Sequence, residues 1–256
     1  MPMIPCRACP LRCEPLFAPM TEEELVFMET FKVGEMVVHA GAAILSQGES
    51  SPQMYTVLEG MATRSILLEN GRRQVINFVF PGDFLGLQSG VMGESRHSAD
   101  ATTEMRLCVF NRAALWDLVR TSPARAYDLT WIAAVEEHFL GETIASLGQR
   151  DAFQRVAWAL LQIHQRLAAT GLLKAKTVPL PFRQQDLADA LGLSLVHTNK
   201  TLASLRRRGL LDWANGRLAV HDIPALAEIA LVGVWATNSA SRLVSSAVGR
   251  RARVTR

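Results

Sequence analysis

The spacing of apolar residues changes once along this chain, and that change limits the folds it can adopt. Between about residues 31 and 110, short apolar runs such as MVVHA, MYTVLEG, TRSILLEN, QVINFVF and RLCVF alternate with glycines, which is typical of a β jelly roll or barrel. From about residue 123 to 147 the apolar residues have helical spacing, and further helices are predicted to about residue 235. The sequence therefore predicts an α+β chain with a β domain, one long helix and a helical C-terminal domain.

The composition fits a globular protein with more than one core. The chain has 256 residues, of which 49% are apolar. No apolar run approaches the ~20 residues of a membrane span, and the N-terminus lacks the profile of a secretory signal. We therefore expect a cytoplasmic protein with no membrane partner. The net charge of +3 is too small to identify a nucleic-acid partner by itself.

Two hairpins and a helix-turn-helix are predicted from local motifs. Asn70-Gly71, between apolar runs, is a strong hairpin signal. RQQDLADALGLSLVHTNKTLASLRRRGLL divides at Gly192 into two short helices, and Ser194 is placed to cap the second. The following GLLDWANGRLAV contains Asn215-Gly216 and predicts a β wing, so a winged helix is favoured over an αα-hairpin that only packs.

The polar face of the second short helix predicts contacts with DNA. In a major groove, Asn199 can pair with adenine, Lys200 can donate to guanine, and Val196 can pack on a thymine methyl. The arginines after this helix and on the wing are expected beside phosphates. The predicted DNA-binding residues are Ser194, Val196, His197, Asn199, Lys200, Arg206, Arg207, Arg208 and Arg217.

A narrow apolar stripe on the long helix indicates either packing on its own core or a seam between two chains. We favour the seam, because a helix this long leaving a compact β domain has little else to cover it. The stripe weakens beyond Phe139, so the dimer is expected to be adjustable. The predicted interface residues are Leu129, Ile132, Val135, Glu136, Phe139 and Thr143.

Four cysteines form a candidate metal site. Cys6, Cys9 and Cys13 follow the spacing C-x2-C-x3-C, and Cys108 lies in the predicted strand RLCVF. In a reducing compartment, clustered cysteines hold metal more often than they form disulfides. A zinc site, a thiol switch between Cys9 and Cys13, and a merely structural Cys108 remain open.

Several stretches together resemble the CRP/FNR family of bacterial transcription regulators. These are FPGDFLG at 80–86, GESRHSADATTE at 93–104, QRVAW after the long helix, and GLSLVHTNKTL. The resemblance covers roughly residues 20–235. It implies a cyclic-nucleotide-binding-like β jelly roll, a dimerisation helix and a winged helix-turn-helix, in a homodimer that binds palindromic DNA and works with RNA polymerase.

That architecture assigns a role to each part of the chain. The predicted parts are a cysteine-rich sensor segment (1–19), a β-roll sensor domain (20–121), the dimerisation helix (122–148), the winged-helix DNA-binding domain (149–235) and a basic, disordered tail (236–256).

Within this family, the chain resembles the oxygen-sensing FNR branch best. Members of that branch bind a [4Fe-4S] cluster with three N-terminal cysteines and one cysteine in a late strand of the sensor domain. The resemblance thus implies Cys6, Cys9, Cys13 and Cys108 as ligands, although the Cys9–Cys13 spacing is shorter than in the best-known members. Cyclic-nucleotide sensing is disfavoured because the arginine that holds the cyclic phosphate in cyclic-AMP receptors is displaced here by one position, to Arg96. Neighbouring residues of a strand point to opposite faces, so Arg96 should point away from the nucleotide pocket. A cupin-like enzyme is disfavoured because the β region offers only His39 and His97.

Overall fold

The computed structural model describes residues 3–13 and 19–233, which form two compact units. The first unit contains residues 3–11 and 20–141, and the second contains residues 12–13, 19 and 142–233. The predicted tail, 236–256, lies outside the described residues, as does part of the cysteine-rich segment. Within the described ranges, no helix is both long and apolar enough to cross a membrane.

The first unit is the predicted β roll. Its described part contains eight strands in two antiparallel sheets, with orders β1-β8-β3-β6 and β2-β7-β4-β5. The strands are β1 (Lys32–Val38), β2 (Ala43–Leu45), β3 (Gln53–Glu59), β4 (Ala62–Leu67), β5 (Arg73–Val79), β6 (Phe84–Leu85), β7 (Ser98–Ala101) and β8 (Met105–Asn111). The five apolar runs of the sequence coincide with β1, β3, β4, β5 and β8, whereas the other strands are too short to show a period.

The predicted hairpin at Asn70-Gly71 is confirmed by the antiparallel pairing of β4 with β5. Its turn is longer than two residues, because Leu68 and Arg72 still pair, with Leu68 N donating to the Arg72 carbonyl at 2.9 Å. Gly71 adopts φ 78°, a conformation that favours glycine.

Alternation along β8 separates two apolar clusters. Leu107 and Val109 belong to the core between the sheets, while Cys108 and Phe110 belong to a second cluster on the opposite face. This second cluster also contains Phe31, Met54, Leu58, Phe84 and Leu118 and is called the Cys108 cluster below.

Four helices and three 3-10 turns accompany the described part of the β roll. The turns are Cys6–Ala8, Pro10–Cys13 and Arg112–Ala114, and the helices are α1 (Glu22–Phe31), α2 (Leu87–Met92), α3 (Leu115–Thr121) and α4 (Pro123–Gln149). A capping box between Thr21 and Glu24 starts α1. The long helix α4 was predicted at 122–148. Its residues Leu129 and Ile132 pack against the Cys108 cluster.

The second unit is the predicted winged helix-turn-helix. Its helices are α5 (Ala152–Ala169), α6 (Gln184–Leu191), α7 (Leu195–Arg207) and α8 (Ile223–Ile229), and its strands are β9 (Thr177–Pro179), β10 (Leu211–Ala214) and β11 (Arg217–Val220), in the sheet order β10-β11-β9. Helix α8 ends before the predicted residue 235, at a point where Leu231 adopts φ 52°.

The turn chemistry of this unit follows the sequence motifs. Gly192 ends α6 in the left-handed conformation, φ 63°. The Ser194 hydroxyl accepts from His197 N at 3.2 Å and so caps α7 as predicted. Asn215 and Gly216 both adopt positive φ, 52° and 68°, which is the geometry of a two-residue hairpin. The β10–β11 wing is therefore confirmed.

Candidate sensor site and DNA-binding surface

Cys6 and Cys13 lie on the two N-terminal 3-10 turns, and Cys9 lies between these turns. Cys9 and Leu11 pack against the Cys108 cluster, Cys6 is half-buried, and Cys13 is exposed. None of the four cysteines is in a disulfide in this structure. The turn therefore brings part of the C-x2-C-x3-C motif to the face of β8 that carries Cys108.

Cys108 is buried in the middle of a sheet. Its cross-strand partners are Glu35 on β1 and Thr56 on β3. Burial raises the pKa of the Cys108 thiol to about 11, although the neighbouring Lys32 ammonium acts in the opposite direction. A thiolate at this position therefore needs additional positive charge, such as a bound metal supplies.

A buried charge network connects Cys108 to the N-terminal turn. Lys32 is 6% exposed, and its Nζ donates to the Ile4 carbonyl at 2.6 Å and to Glu35 Oε1 at 2.5 Å. Glu35 Oε1 also accepts from Ile4 N at 2.7 Å, and Glu35 Oε2 accepts from Arg106 Nε at 2.6 Å. Burial alone would raise the pKa of Glu35, but hydrogen bonds from Lys32, Ile4 and Arg106 lower it, so the carboxylate is charged.

Cysteine sulfurs with a cation beside them are the kind of groups that an iron-sulfur cluster needs. Lys32 interacts electrostatically with Cys6 and Cys108, and Cys108 interacts with Cys9. A nearby cation offsets the negative charge of several thiolates. Among the described residues, however, no group of three or more His, Cys, Asp or Glu side chains is close enough together to hold a metal ion.

In the stretch 93–104, which resembles part of a cyclic-nucleotide site, the arginine does not point into the β roll. Arg96 is exposed and pairs with Glu94 at 2.8 Å, as the displaced position predicted. His97 is buried instead, with Nδ1 3.1 Å from Gln88 Oε1. The pKa of His97 is lowered to about 4, mainly by burial and in smaller part by the Arg64 guanidinium, while the Glu136 carboxylate opposes this. A neutral imidazole therefore occupies the position at which a cyclic-nucleotide site would need a cation for the phosphate.

The helix α4 contributes a carboxylate to the β roll. Glu136 Oε2 accepts from Arg64 Nη1 and from Asn77 Nδ2, both at 3.1 Å. Arg64 Nη2 also donates to the Phe84 carbonyl at 2.7 Å. These contacts link α4 to β4 and β5, the second sheet of the roll.

Part of the predicted dimer stripe contacts other residues of the same chain in the first unit. Leu129 and Ile132 contact the Cys108 cluster, and the Glu136 carboxylate contacts Arg64 and Asn77. The remaining stripe residues, Val135, Phe139 and Thr143, are half-buried. The seam between two chains stays a prediction.

The predicted base-reading residues share the exposed face of α7. Val196 is 64% exposed, and Ser194, His197, Asn199 and Lys200 are also exposed. The opposite face is buried through Thr198, Thr201, Leu202 and Leu205. The helix therefore presents the whole predicted set to solvent on one side.

Contacts within the second unit orient three of the four predicted phosphate-binding arginines. Arg206 pairs with Asp212 at 2.7 Å, and Arg208 lies over the Phe153 ring at 4.6 Å. On the wing, Arg217 Nε donates to Thr177 Oγ1 at 2.7 Å. Arg207 is exposed.

Sequence reasoning missed the residues that surround the cysteines and Glu136. Lys32, Glu35 and Arg106 form the network beside Cys108, and Arg64 and Asn77 bind Glu136. Charged residues inside otherwise apolar strands were the available signal, because such residues are rarely buried without a partner.

Comparisons with known proteins agree with both units. A model of the cyclic nucleotide-binding domain matches residues 35–122, and a model of the Crp-like helix-turn-helix domain matches residues 154–229. The chain is 32% identical over 226 residues to the nitrogen fixation regulation protein FixK of Bradyrhizobium diazoefficiens, covering 87% of this chain and 92% of FixK. It is 28% identical over 227 residues to the transcriptional activator protein FnrL of Cereibacter sphaeroides, covering 87% and 90%. The solved structure of FixK2 from Bradyrhizobium japonicum matches with a TM-score of 0.70 at 28% identity, covering 76% and 96%.

Proposed function

Because the chain belongs to the CRP/FNR family of DNA-binding transcriptional regulators, we propose that its first unit senses oxygen or redox state through a [4Fe-4S] cluster. The proposed ligands are Cys6, Cys9, Cys13 and Cys108. The chain is a regulator rather than an enzyme. Its DNA-binding surface is the exposed face of α7 with the neighbouring wing.

One observation carries the sensing proposal: Cys9, Cys108 and α4 meet in a single apolar cluster. Cys9 packs on the Cys108 cluster from the N-terminal turn, and Leu129 and Ile132 pack on it from α4. A change at the cysteines can therefore alter the packing of the helix that is predicted to form the dimer seam. This gives the cysteines a physical route to dimerisation and DNA binding.

The cluster, when bound, supplies a centre that oxidants such as oxygen or nitric oxide attack. The chain supplies the thiolate ligands and surrounds Cys108 with apolar side chains that limit access of water. Lys32 contributes the neighbouring positive charge, since its ammonium group is close to both Cys6 and Cys108. To hold the cluster, the N-terminal segment would have to bring its three cysteines closer to Cys108.

On the DNA side, we propose a homodimer that binds a palindromic site with one α7 in each half. Asn199, Lys200 and Val196 would contact base edges, and the arginines of α7 and the wing would contact phosphates. RNA polymerase is the expected partner once the dimer is on DNA.

Purification without oxygen tests the sensing proposal. We expect a brown protein with about four iron and four sulfide ions per chain, which loses its colour and its affinity for DNA when air is admitted. Substituting any one of the four cysteines with serine should prevent full loading. Val109→Thr is the matched control for Cys108→Ser, because Val109 is the next buried residue of the same strand.

Three results would contradict the proposal. Zinc in place of iron would make the site structural, as in four-thiolate zinc sites. A colourless protein whose DNA binding responds to oxidants would indicate a thiol switch instead. DNA binding that is equal in air and without oxygen would exclude redox sensing by this chain.

A further inference from the structure

We propose that Lys32 and Glu35 form a clamp that holds the backbone of Ile4 and thereby positions the N-terminal cysteines over Cys108. The two side chains bind both polar backbone atoms of this one residue: Lys32 Nζ donates to the Ile4 carbonyl at 2.6 Å, and Glu35 Oε1 accepts from Ile4 N at 2.7 Å. Ile4 lies two residues before Cys6, so fixing its backbone limits where the following turn can go.

The clamp is built from the sheet rather than from the surface. The side chains of Lys32 and Glu35 are 3% and 9% exposed and lie 2.5 Å apart. Arg106, from the adjacent strand β8, binds the other oxygen of Glu35 at 2.6 Å. Because both carboxylate oxygens have fixed partners, Glu35 can accept from Ile4 without further ordering of its side chain.

The same clamp is joined directly to Cys108. Glu35 is the cross-strand partner of Cys108 in the β1–β8 ladder, and side chains opposite each other on an antiparallel pair are neighbours on one face. Lys32 also interacts with the Cys108 thiol. One pair of charged residues thus contacts the near-terminal backbone and the distant cysteine at once.

This role deepens the proposed function and rests on it for the link to a cluster, but docking of the turn requires no metal. We therefore treat Lys32 and Glu35 as positioning residues, and their effect can be measured on the metal-free protein. An apolar replacement of Lys32 removes the donor to the Ile4 carbonyl and leaves Glu35 with one cation fewer. The turn should then separate from the sheet while β1 and β8 stay paired.

Hydrogen exchange on the metal-free full chain is the first experiment, with Lys32→Met, Glu35→Gln and the control Arg72→Met. Arg72 is an exposed cation in the β4–β5 turn, so its loss changes charge equally without touching the clamp. In Lys32→Met we expect exchange in residues 3–13 to be at least about tenfold faster, with β8 unchanged. Glu35→Gln should give a smaller increase, because its amide oxygen can still accept from Ile4 N, and Arg72→Met should give none.

Cluster stability in the protein loaded without oxygen is the second readout. We expect the visible absorbance of Lys32→Met to decay several-fold faster in air than that of the wild type, and Lys32→Arg, which restores a cation, to recover much of the difference. If Lys32→Met does not fold, Glu35→Gln and Lys32→Arg carry the test through the same two measurements.

The two proposals fail differently. Unchanged exchange of residues 3–13 in Lys32→Met and Glu35→Gln would overturn the clamp. Faster exchange in these variants, combined with a wild type that binds no iron, would support the clamp and refute the proposed cluster.

Discussion

Removing the Glu136 carboxylate should destabilise the first unit more than removing the Arg64 guanidinium that it binds. The side chain of Arg64 is 10% exposed and that of Glu136 is 26% exposed. The more buried charge has less access to water when its partner is lost. We therefore expect Glu136→Leu to lower the free energy of unfolding more than Arg64→Met does. These two variants and the double variant test this expectation.

The expected magnitudes follow from the contacts that remain. Losing one partner of a fully buried ion pair costs about 3–5 kcal/mol. In Glu136→Leu, Arg64 keeps only the Phe84 carbonyl as a hydrogen-bond partner among the residues that the structure describes, so we expect a cost of about 3 kcal/mol. In Arg64→Met, Glu136 keeps Asn77 and some water, and its partial exposure reduces the expected cost to about 1–2 kcal/mol.

A double-mutant cycle measures this coupling directly. We expect the double variant to cost less than the sum of the single variants by about 1–2 kcal/mol, because no unpaired charge is left. Urea unfolding gives the free energies, and hydrogen exchange in β4 and β5 assigns the transition to the first unit, since two units can unfold separately. Glu137→Leu, an exposed carboxylate one residue further along α4, is the control. Single-variant costs that add to within about 0.5 kcal/mol would refute a direct pair.

Three further changes test other parts of the molecule. Since the folded pKa of His97 is about 4, below its unfolded value, the unfolded chain binds the extra proton first, and the free energy of unfolding should fall by up to about 2–3 kcal/mol from pH 6.5 to 4; His97→Leu should remove this slope, and an unchanged slope would refute it. Gly60→Ala should cost at least about 2–4 kcal/mol in urea unfolding, because φ is 88° and a Cβ would lie 2.3 Å from a backbone oxygen. Gly71→Ala, at φ 78° with nothing within 4 Å, should cost about 1 kcal/mol, and equal costs would refute the steric reasoning. Lys200→Ala should weaken binding to the preferred DNA site by about 1–3 kcal/mol and spare nonspecific binding, whereas Arg207→Ala should weaken binding to all sequences; titrations that show equal losses on all DNA for Lys200→Ala would contradict base reading.

The fold was predictable because local signals and burial agree along most of the chain. The runs of β4 and β5 meet at a glycine turn, and α7 begins at a serine cap, so period and turn chemistry indicate the same boundaries. The short strands β2, β6 and β7 were missed because two to four residues are too few to show alternation. They form through pairing with longer neighbours.

The surroundings of the cysteines were less predictable, because they depend on strand register. Glu35 lies opposite Cys108 only through the β1–β8 pairing, in which a bulge shifts the register between Lys32 and Gly34. Similarly, Glu136 has helical spacing that suits a dimer stripe, and only the placement of α4 on the roll shows that its carboxylate binds Arg64. Single-sequence patterns identify faces, whereas register and packing decide which charged groups meet.

The position of these contacts along α4 bears on how a signal could travel. Leu129 and Ile132 pack on the Cys108 cluster, which the first sheet carries through β8. Glu136, one helical turn after Ile132, binds Arg64 on β4 and so attaches the helix to the second sheet. A change at the cysteines would act on the first attachment and leave the second in place. Arg125, at the start of α4, also pairs with Glu24 on α1 at 3.2 Å. We therefore infer that such a change alters the apolar packing between these two ion pairs, while the ion pairs keep the helix on the roll.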